Sequence, residues 1–163
     1  NSTTPLVLDA DALNCVAKQP EILLRKKASI IITPHPGEMS RLTGLATPLV
    51  NAERERVALD FAQKYGVVTV LKGAGTVIAS PNGKVLVNPT GNSGMATGGS
   101  GDVLAGMTAS ILAQGASAFS SAAAAVYLHG LAGDIAAEKY GKISMLPTDL
   151  INCIPLAYKR CGF

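Results

Sequence analysis

The stretch Gly91-Asn92-Ser93-Gly94-Met95-Ala96-Thr97-Gly98-Gly99-Ser100-Gly101-Asp102 is a polar, glycine-crowded loop that runs straight into an apolar segment, Val103 to Gln114. Glycines at 91, 94, 98, 99 and 101 open backbone conformations closed to other residues and let a ligand approach the main chain. The apolar segment reads as a helix, and its first turn offers free N–H groups and a partial positive charge. Gly98, Gly99, Ser100 and Gly101 therefore predict an anion hole suited to phosphate. Asp102 repels a phosphate unless it handles a proton or steers a metal, which makes it the candidate catalytic residue. The same pattern also reads as a flexible turn whose Asp102 merely complements the helix dipole. It is not a P-loop, because Gly-x-x-x-x-Gly-Lys-Ser/Thr is absent. It does not fit the Gly-x-Gly-x-x-Gly dinucleotide fingerprint either.

Three further groups carry chemistry. Asp9, Asp11 and Asn14 follow Leu6-Val7-Leu8, at the carboxyl end of a predicted buried parallel strand (Leu6 to Ala10). Ligands bind at that edge of open α/β sheets, although Asp11 could equally cap a helix. His35 sits between Pro34 and Pro36, which stiffen the turn and hold the residue before Pro36 extended. A histidine so placed is either a structural hydrogen-bonder or a ligand contact, and Glu38 falls in the first turn of the helix after it. Lys72-Gly73-Ala74-Gly75-Thr76 closes the strand Val67 to Leu71. Lys72 reads as an exposed strand-end lysine or, given the two glycines, as a phosphate or ribose contact.

These residues need a frame. Strands are predicted at Leu6 to Ala10, Ser29 to Thr33, Val67 to Leu71, Val77 to Ser80 and Val85 to Val87, the last two joined by a Pro81-Asn82-Gly83-Lys84 hairpin turn. A helical turn or two spans Pro20 to Lys27. An amphipathic helix covers Asn51 to Tyr65, with Val57, Leu59, Phe61 and Ala62 packed and Glu53, Arg54, Glu55 and Arg56 in water. Gly66 caps it. Two more helices follow the glycine loop: Ser117 to Tyr140, apolar with a run from Ala122 to Ala125, and Leu146 to Lys159. His129 and Asp134 in the first of these read as structural. The βαβ rhythm predicts a mostly parallel, doubly wound α/β sheet.

Composition narrows the function. At 163 residues the chain holds at most one ordinary domain. Hydrophobic residues make up 48% and charged residues 15%, values that suit a well-buried α/β protein. Aromatics are 4% with no Trp, which argues against base-stacking platforms. The net charge of +3 is scattered. Arg25-Lys26-Lys27 and Lys159-Arg160 read as solvated ends, and no nucleic-acid partner is expected. Cys15, Cys153 and Cys161 form no Cys-x-x-Cys pair, so a reducing, cytoplasmic setting is expected, without disulfides or zinc. No run is long enough to span a membrane. The chain opens at Asn1 almost directly on a core strand, as though sequence preceded it.

Four motifs, Leu8 to Asn14, Thr33 to Glu38, Leu71 to Thr76 and Gly91 to Asp102, occur in an order and spacing that resemble the nucleotide-dependent NAD(P)H-hydrate dehydratases of the ribokinase-like superfamily. The resemblance runs nearly end to end. It implies a three-layer αβα fold, with residues 1–163 as the carboxyl-terminal portion of one domain. It implies an enzyme that repairs hydrated NADH and NADPH by a dehydration driven by ADP or ATP, with Mg2+ on the phosphates. His35 and Asp102 would contact the hydrated dinucleotide. Lys72, Gly73, Ala74, Gly75, Thr76 and Gly101 would line the nucleotide site, and Asp102 would act as base. The Met95-Ala96-Thr97-Gly98-Gly99 spelling is similar to the ADP-preferring bacterial branch, whereas Ser93 stands where relatives often carry Pro or Ala. A homo-oligomer is expected. Two other functions fit part of the pattern: a small-molecule kinase on the same fold, and a non-catalytic nucleotide-binding fragment.

Overall fold

The computed structural model describes residues 3–163; the opening Asn1 and Ser2 lie outside the described residues. Five strands form one sheet in the order β1 (Leu6–Leu8), β2 (Ile30–Ile32), β3 (Val68–Leu71), β4 (Val77–Ala79) and β5 (Val85–Val87). β1, β2 and β3 are parallel, while β4 and β5 run antiparallel. The sheet is therefore mixed, and its antiparallel part is the hairpin that Asn82-Gly83 predicts. Gly83 adopts φ +88 and donates its N–H to Ser80 O at 3.1 Å, and Ser80 N–H returns to Lys84 O at 2.8 Å.

Between β1 and β3 the chain forms α1 (Asp11–Ala17), a 3-10 turn (Pro20–Arg25), α2 (Pro36–Thr43), α3 (Thr47–Ala52) and α4 (Arg54–Tyr65). After β5 come a short 3-10 turn (Ser93–Met95), α5 (Ser100–Ala113), α6 (Ala118–Tyr140) and α7 (Pro147–Arg160). The two groups of helices lie on opposite faces, and the strands show why. Side chains alternate across a strand. Ile30 and Ile32 pack with α1 to α4, whereas Ile31 packs with α5 to α7. In the same way Leu71 joins the first core, and Val68 and Val70 join the second. A run of β-branched residues buried on both faces makes the middle layer of a three-layer αβα fold.

Several expectations need correction. The first strand is not buried: β1 ends the sheet, Leu6 is exposed, and Val7 and Leu8 are only half-covered. The helix expected over Asn51 to Tyr65 breaks at Glu53 (φ −127, ψ 43), so α3 and α4 meet at an angle. That break turns Arg54 out of solvent and towards the sheet, where its Nη2 donates to Leu71 O at 2.8 Å. Lys26 is not a solvated end either. Its Nζ donates to Tyr65 O at 2.6 Å under the Gly66 cap, and burial lowers its pKa. The helix expected from Val103 starts three residues earlier, at Ser100, with Gly99 (φ +97) as its cap. Of the loop glycines only Gly91 and Gly99 adopt positive φ. Gly94 is needed for packing, because a Cβ there would lie 2.9 Å from Lys142 Cα and 2.7 Å from Met145 Sδ.

Candidate active site

The carboxyl ends of β1, β2 and β3 open onto a cleft of about 960 Å3. His35, residues 72–76 and residues 98–102 all line it, so these expected site residues are brought to one place, whereas Asn14 is not and bonds instead to Asp11 and Arg41. Asp9, from the end of β1, also lines the cleft. Asp11 does not line the cleft; it opens α1 and accepts from Asn14 Nδ2 at 3.4 Å, without capping the helix. Beside Asp9, Ala10 takes φ +50, the one positive-φ non-glycine among the described residues, and it also lines the cleft. Such strain collects at functional sites.

His35 does structural work. Its Nδ1 accepts from Gly37 N–H at 3.0 Å and Glu38 N–H at 3.3 Å, while Glu38 Oε2 accepts from His35 N–H at 2.8 Å. This is a complete capping box for α2. Because Nδ1 accepts from amides, it carries no proton. The rest of the ring stays half-exposed at the cleft wall, available to a ligand.

Lys72 is not an exposed lysine. Its Nζ lies 2.7 Å from Asp9 Oδ1 and 3.9 Å from Glu38 Oε2, and its side chain is 20% exposed. Three ends of the sheet thus meet in one charge cluster. A Cβ on Gly101 would lie 3.5 Å from Lys72 Nζ, which places the ammonium directly beneath the first turn of α5. The loop after it is closed by Thr76 Oγ1 donating to Gly73 O at 3.0 Å.

The loop leading into α5 is braced on α6. At the helix start, Ser100 N–H reaches Thr97 O at 3.3 Å, and the amides of Gly101 and Asp102 make no hydrogen bond among the described residues. Asp102 is exposed in the cleft and forms no ion pair among the described residues. Ser100 O is 2.9 Å from His129 Nε2. A carbonyl only accepts, so Nε2 carries the proton. Burial pushes the His129 pKa down to about 4, against a smaller upward pull from that bond, so the ring is neutral at neutral pH. Upstream, Thr90 Oγ1 donates to Tyr127 O at 2.9 Å and Gly91 N–H to Asp134 Oδ2 at 2.9 Å. Asn92 Nδ2 donates to Gly133 O and Asp134 Oδ1, each at 3.0 Å.

Among the described residues no three His, Cys, Asp or Glu side chains gather to cage a metal. The donors present suit Mg2+ only as a passenger on phosphate oxygens, its usual mode beside one or two carboxylates. No helix among the described residues is long and apolar enough to cross a membrane.

Sequence reasoning did not single out Glu38, which joins the charge cluster, or Arg54, which bonds to Leu71 O behind loop 72–76. The spacing of Glu38 from His35 is a capping-box signal that could have flagged it. Nothing local distinguishes Arg54 from its charged neighbours.

Layering and cleft define a ribokinase-like α/β protein. The NAD(P)H-hydrate dehydratase family pattern matches residues 1–156, and the chain belongs to that family. It is 46% identical over 156 residues to the bifunctional NAD(P)H-hydrate repair enzyme Nnr of Moorella thermoacetica, covering 96% of this chain and 29% of that one. It is 45% identical to the ADP-dependent (S)-NAD(P)H-hydrate dehydratase of Neisseria meningitidis, covering 84% of this chain and 47% of that one. A crystal structure of the ADP/ATP-dependent NAD(P)H-hydrate dehydratase of Bacillus subtilis, co-crystallised with ATP/Mg2+, superposes with a TM-score of 0.85 at 34% identity, covering 98% of this chain and 56% of that one. The chain thus spans between about a third and about half the length of these relatives.

Proposed function

We propose that this chain carries the catalytic centre of a nucleotide-dependent dehydratase acting on hydrated NADH and NADPH, with ADP or ATP as co-substrate. The observation that carries this reading is the placement of Asp102, exposed in the cleft beside the unengaged amides of Gly101 and its own N–H. Water is a poor leaving group from the hydrated ring, and phosphate is a better one.

In this reading the ring hydroxyl attacks the terminal phosphorus of the nucleotide and Asp102 takes its proton. The bridging P–O bond breaks and the shortened nucleotide departs. The ring C–O bond then breaks with its electron pair leaving on phosphate, and the neighbouring ring carbon loses a proton as the double bond reforms. The protein's share is positioning and charge stabilisation. Amides at the start of α5 receive the transferring oxygens. Loop 72–76 lines the adenine-nucleotide side, and the exposed edge of His35 meets the hydrated dinucleotide. Since Lys72 is already paired with Asp9, it acts by fixing that loop beneath Gly101 and not as a free phosphate-binding cation. When magnesium accompanies the nucleotide, it supplies charge neutralisation on the phosphates. The same reading takes a cytoplasmic setting and a homo-oligomer, for which exposed Ile143, Leu146 and Phe163 offer apolar surface.

The test is an assay of the full-length protein with hydrated NADH and either ADP or ATP, following recovery of reduced nicotinamide absorbance. Phosphate release must accompany that recovery. Phosphorylation of an added alcohol, with no recovery from the hydrate, would replace this reading with a kinase.

A further inference from the structure

A second hollow, of about 430 Å3, lies at the junction of α3 and α4, and Ala74 and Gly75 line both it and the main cleft. The loop after β3 is therefore a backbone wall with a cavity on either side. Arg54 stands on the hollow's side of that wall. It is half-buried, and burial lowers its pKa. Its Nη2 donates to Leu71 O at 2.8 Å, its Nε is buried without a partner, and no carboxylate among the described residues pairs with it. The adjacent Glu53 pairs with Arg56 instead. A Cβ on Gly73 would meet Arg54 Nη1 at 2.9 Å and Nη2 at 3.0 Å, and Gly73 holds φ +148. Guanidinium and glycine thus occupy complementary space.

A half-buried guanidinium with an unmet donor costs stability, and a helix-surface arginine gains nothing locally by accepting that cost. The arrangement makes sense if the fork fixes something else in place. We propose that Arg54 is a positioning residue for the nucleotide-facing loop: it grips the end of β3 at Leu71 O and fills the space behind Gly73, so that Gly73, Ala74 and Gly75 present a fixed wall to an adenine nucleotide. This rests on the nucleotide-binding reading above. Arg54 touches the loop from behind and does not touch the reacting atoms. A lysine cannot replace it, because one ammonium cannot both reach Leu71 O and fill the planar fork's space.

The experiment compares wild type, Arg54→Met, Arg54→Lys and Gly73→Ala in the full-length protein by ADP calorimetry, steady-state kinetics and thermal melting. Arg54→Met weakens ADP binding about tenfold, the size of one lost charged hydrogen bond. The nucleotide KM rises in parallel, while kcat, the KM for the hydrated dinucleotide and the melting temperature change little. Arg54→Lys recovers only part of the loss, and Gly73→Ala also weakens ADP binding, because its Cβ displaces the guanidinium, but with a lower melting temperature, since Gly73 holds φ +148. Unchanged ADP affinity in Arg54→Met overturns the proposal. So does a uniform loss in every parameter together with a lower melting temperature, since that marks a purely structural role. A wild type that binds no ADP sinks this proposal together with the nucleotide reading. A wild type that binds ADP but does not dehydrate sinks only the dehydratase reading, and the calorimetry still decides on Arg54.

Discussion

Lys72 Nζ donates to Asp9 Oδ1 at 2.7 Å, a bond across 63 residues that ties the carboxyl end of β3 to that of β1. Glu38, 7% exposed and 3.9 Å away, leans on the same ammonium. One cation therefore holds two poorly solvated carboxylates, Asp9 in the cleft wall and Glu38 behind it. Removing it alone takes the ammonium from both and leaves each with one backbone N–H donor. Lys72→Met should cost about 3 kcal/mol of stability, and adding Asp9→Asn should restore part of it. Urea denaturation of the single and double variants reads both numbers. A Lys72→Met protein as stable as wild type would mean the cluster is not energetically coupled.

Asp102→Asn keeps the shape of the first turn of α5 but removes the proposed base. Turnover should fall by on the order of 10²–10⁴-fold, with ADP affinity nearly unchanged. Initial rates and calorimetry on the same preparation separate the two effects. Strong loss of ADP binding would make Asp102 a ligand of the nucleotide and not the base.

His129 gives a pH dependence of known sign. Its folded pKa is about 4, below the usual 6.5, so the unfolded chain binds more protons between those values. Stability contributed by the neutral ring is complete above about pH 6.5, declines as pH falls and is gone near pH 4. The full loss is about 3 kcal/mol. Denaturation midpoints measured across pH 4 to 7 should show this slope, and His129→Gln should flatten it. Identical slopes in the two proteins would assign the effect elsewhere.

Gly130 lies on α6 where a Cβ would come 2.8 Å from the carbonyl carbon of Thr90. That neighbour is backbone and cannot swing aside. Gly130→Ala should destabilise by about 1–3 kcal/mol. It should also weaken ADP binding, because the shifted segment leads into the proposed anion hole. A stable Gly130→Ala protein with full ADP affinity would show the loop to be more pliant than its bonds imply.

Much of this was legible in the sequence, for local reasons. Ile30, Ile31 and Ile32 announce a strand buried on both faces. Asn82-Gly83 announces a hairpin, and proline on either side of His35 announces a rigid turn. The glycine motif and its resemblance located the cleft. What escaped depends on direction in space. Glu53 carries no helix-breaking residue type, so the break that swings Arg54 towards Leu71 O leaves no trace in the charge pattern Glu53-Arg54-Glu55-Arg56. Lys26 likewise looks like one of three basic neighbours until the C-terminus of α4 arrives above it. The start of α5 was placed late because Ser100, Gly101 and Asp102 are poor helix formers. They are helical because Gly99 caps them and His129 holds Ser100 O.

Both ends of the segment from Thr90 to Ser100 are tied to consecutive turns of α6, through Tyr127 O, His129, Gly133 O and Asp134. Gly130 and Gly133 let it lie flush against the helix. Engineers who wish to transplant this proposed phosphate cradle into another scaffold would have to move strap and rod together. A grafted loop without that helix would lose its template, and loop-swap libraries that vary residues 90–100 alone should return mostly binders of nothing.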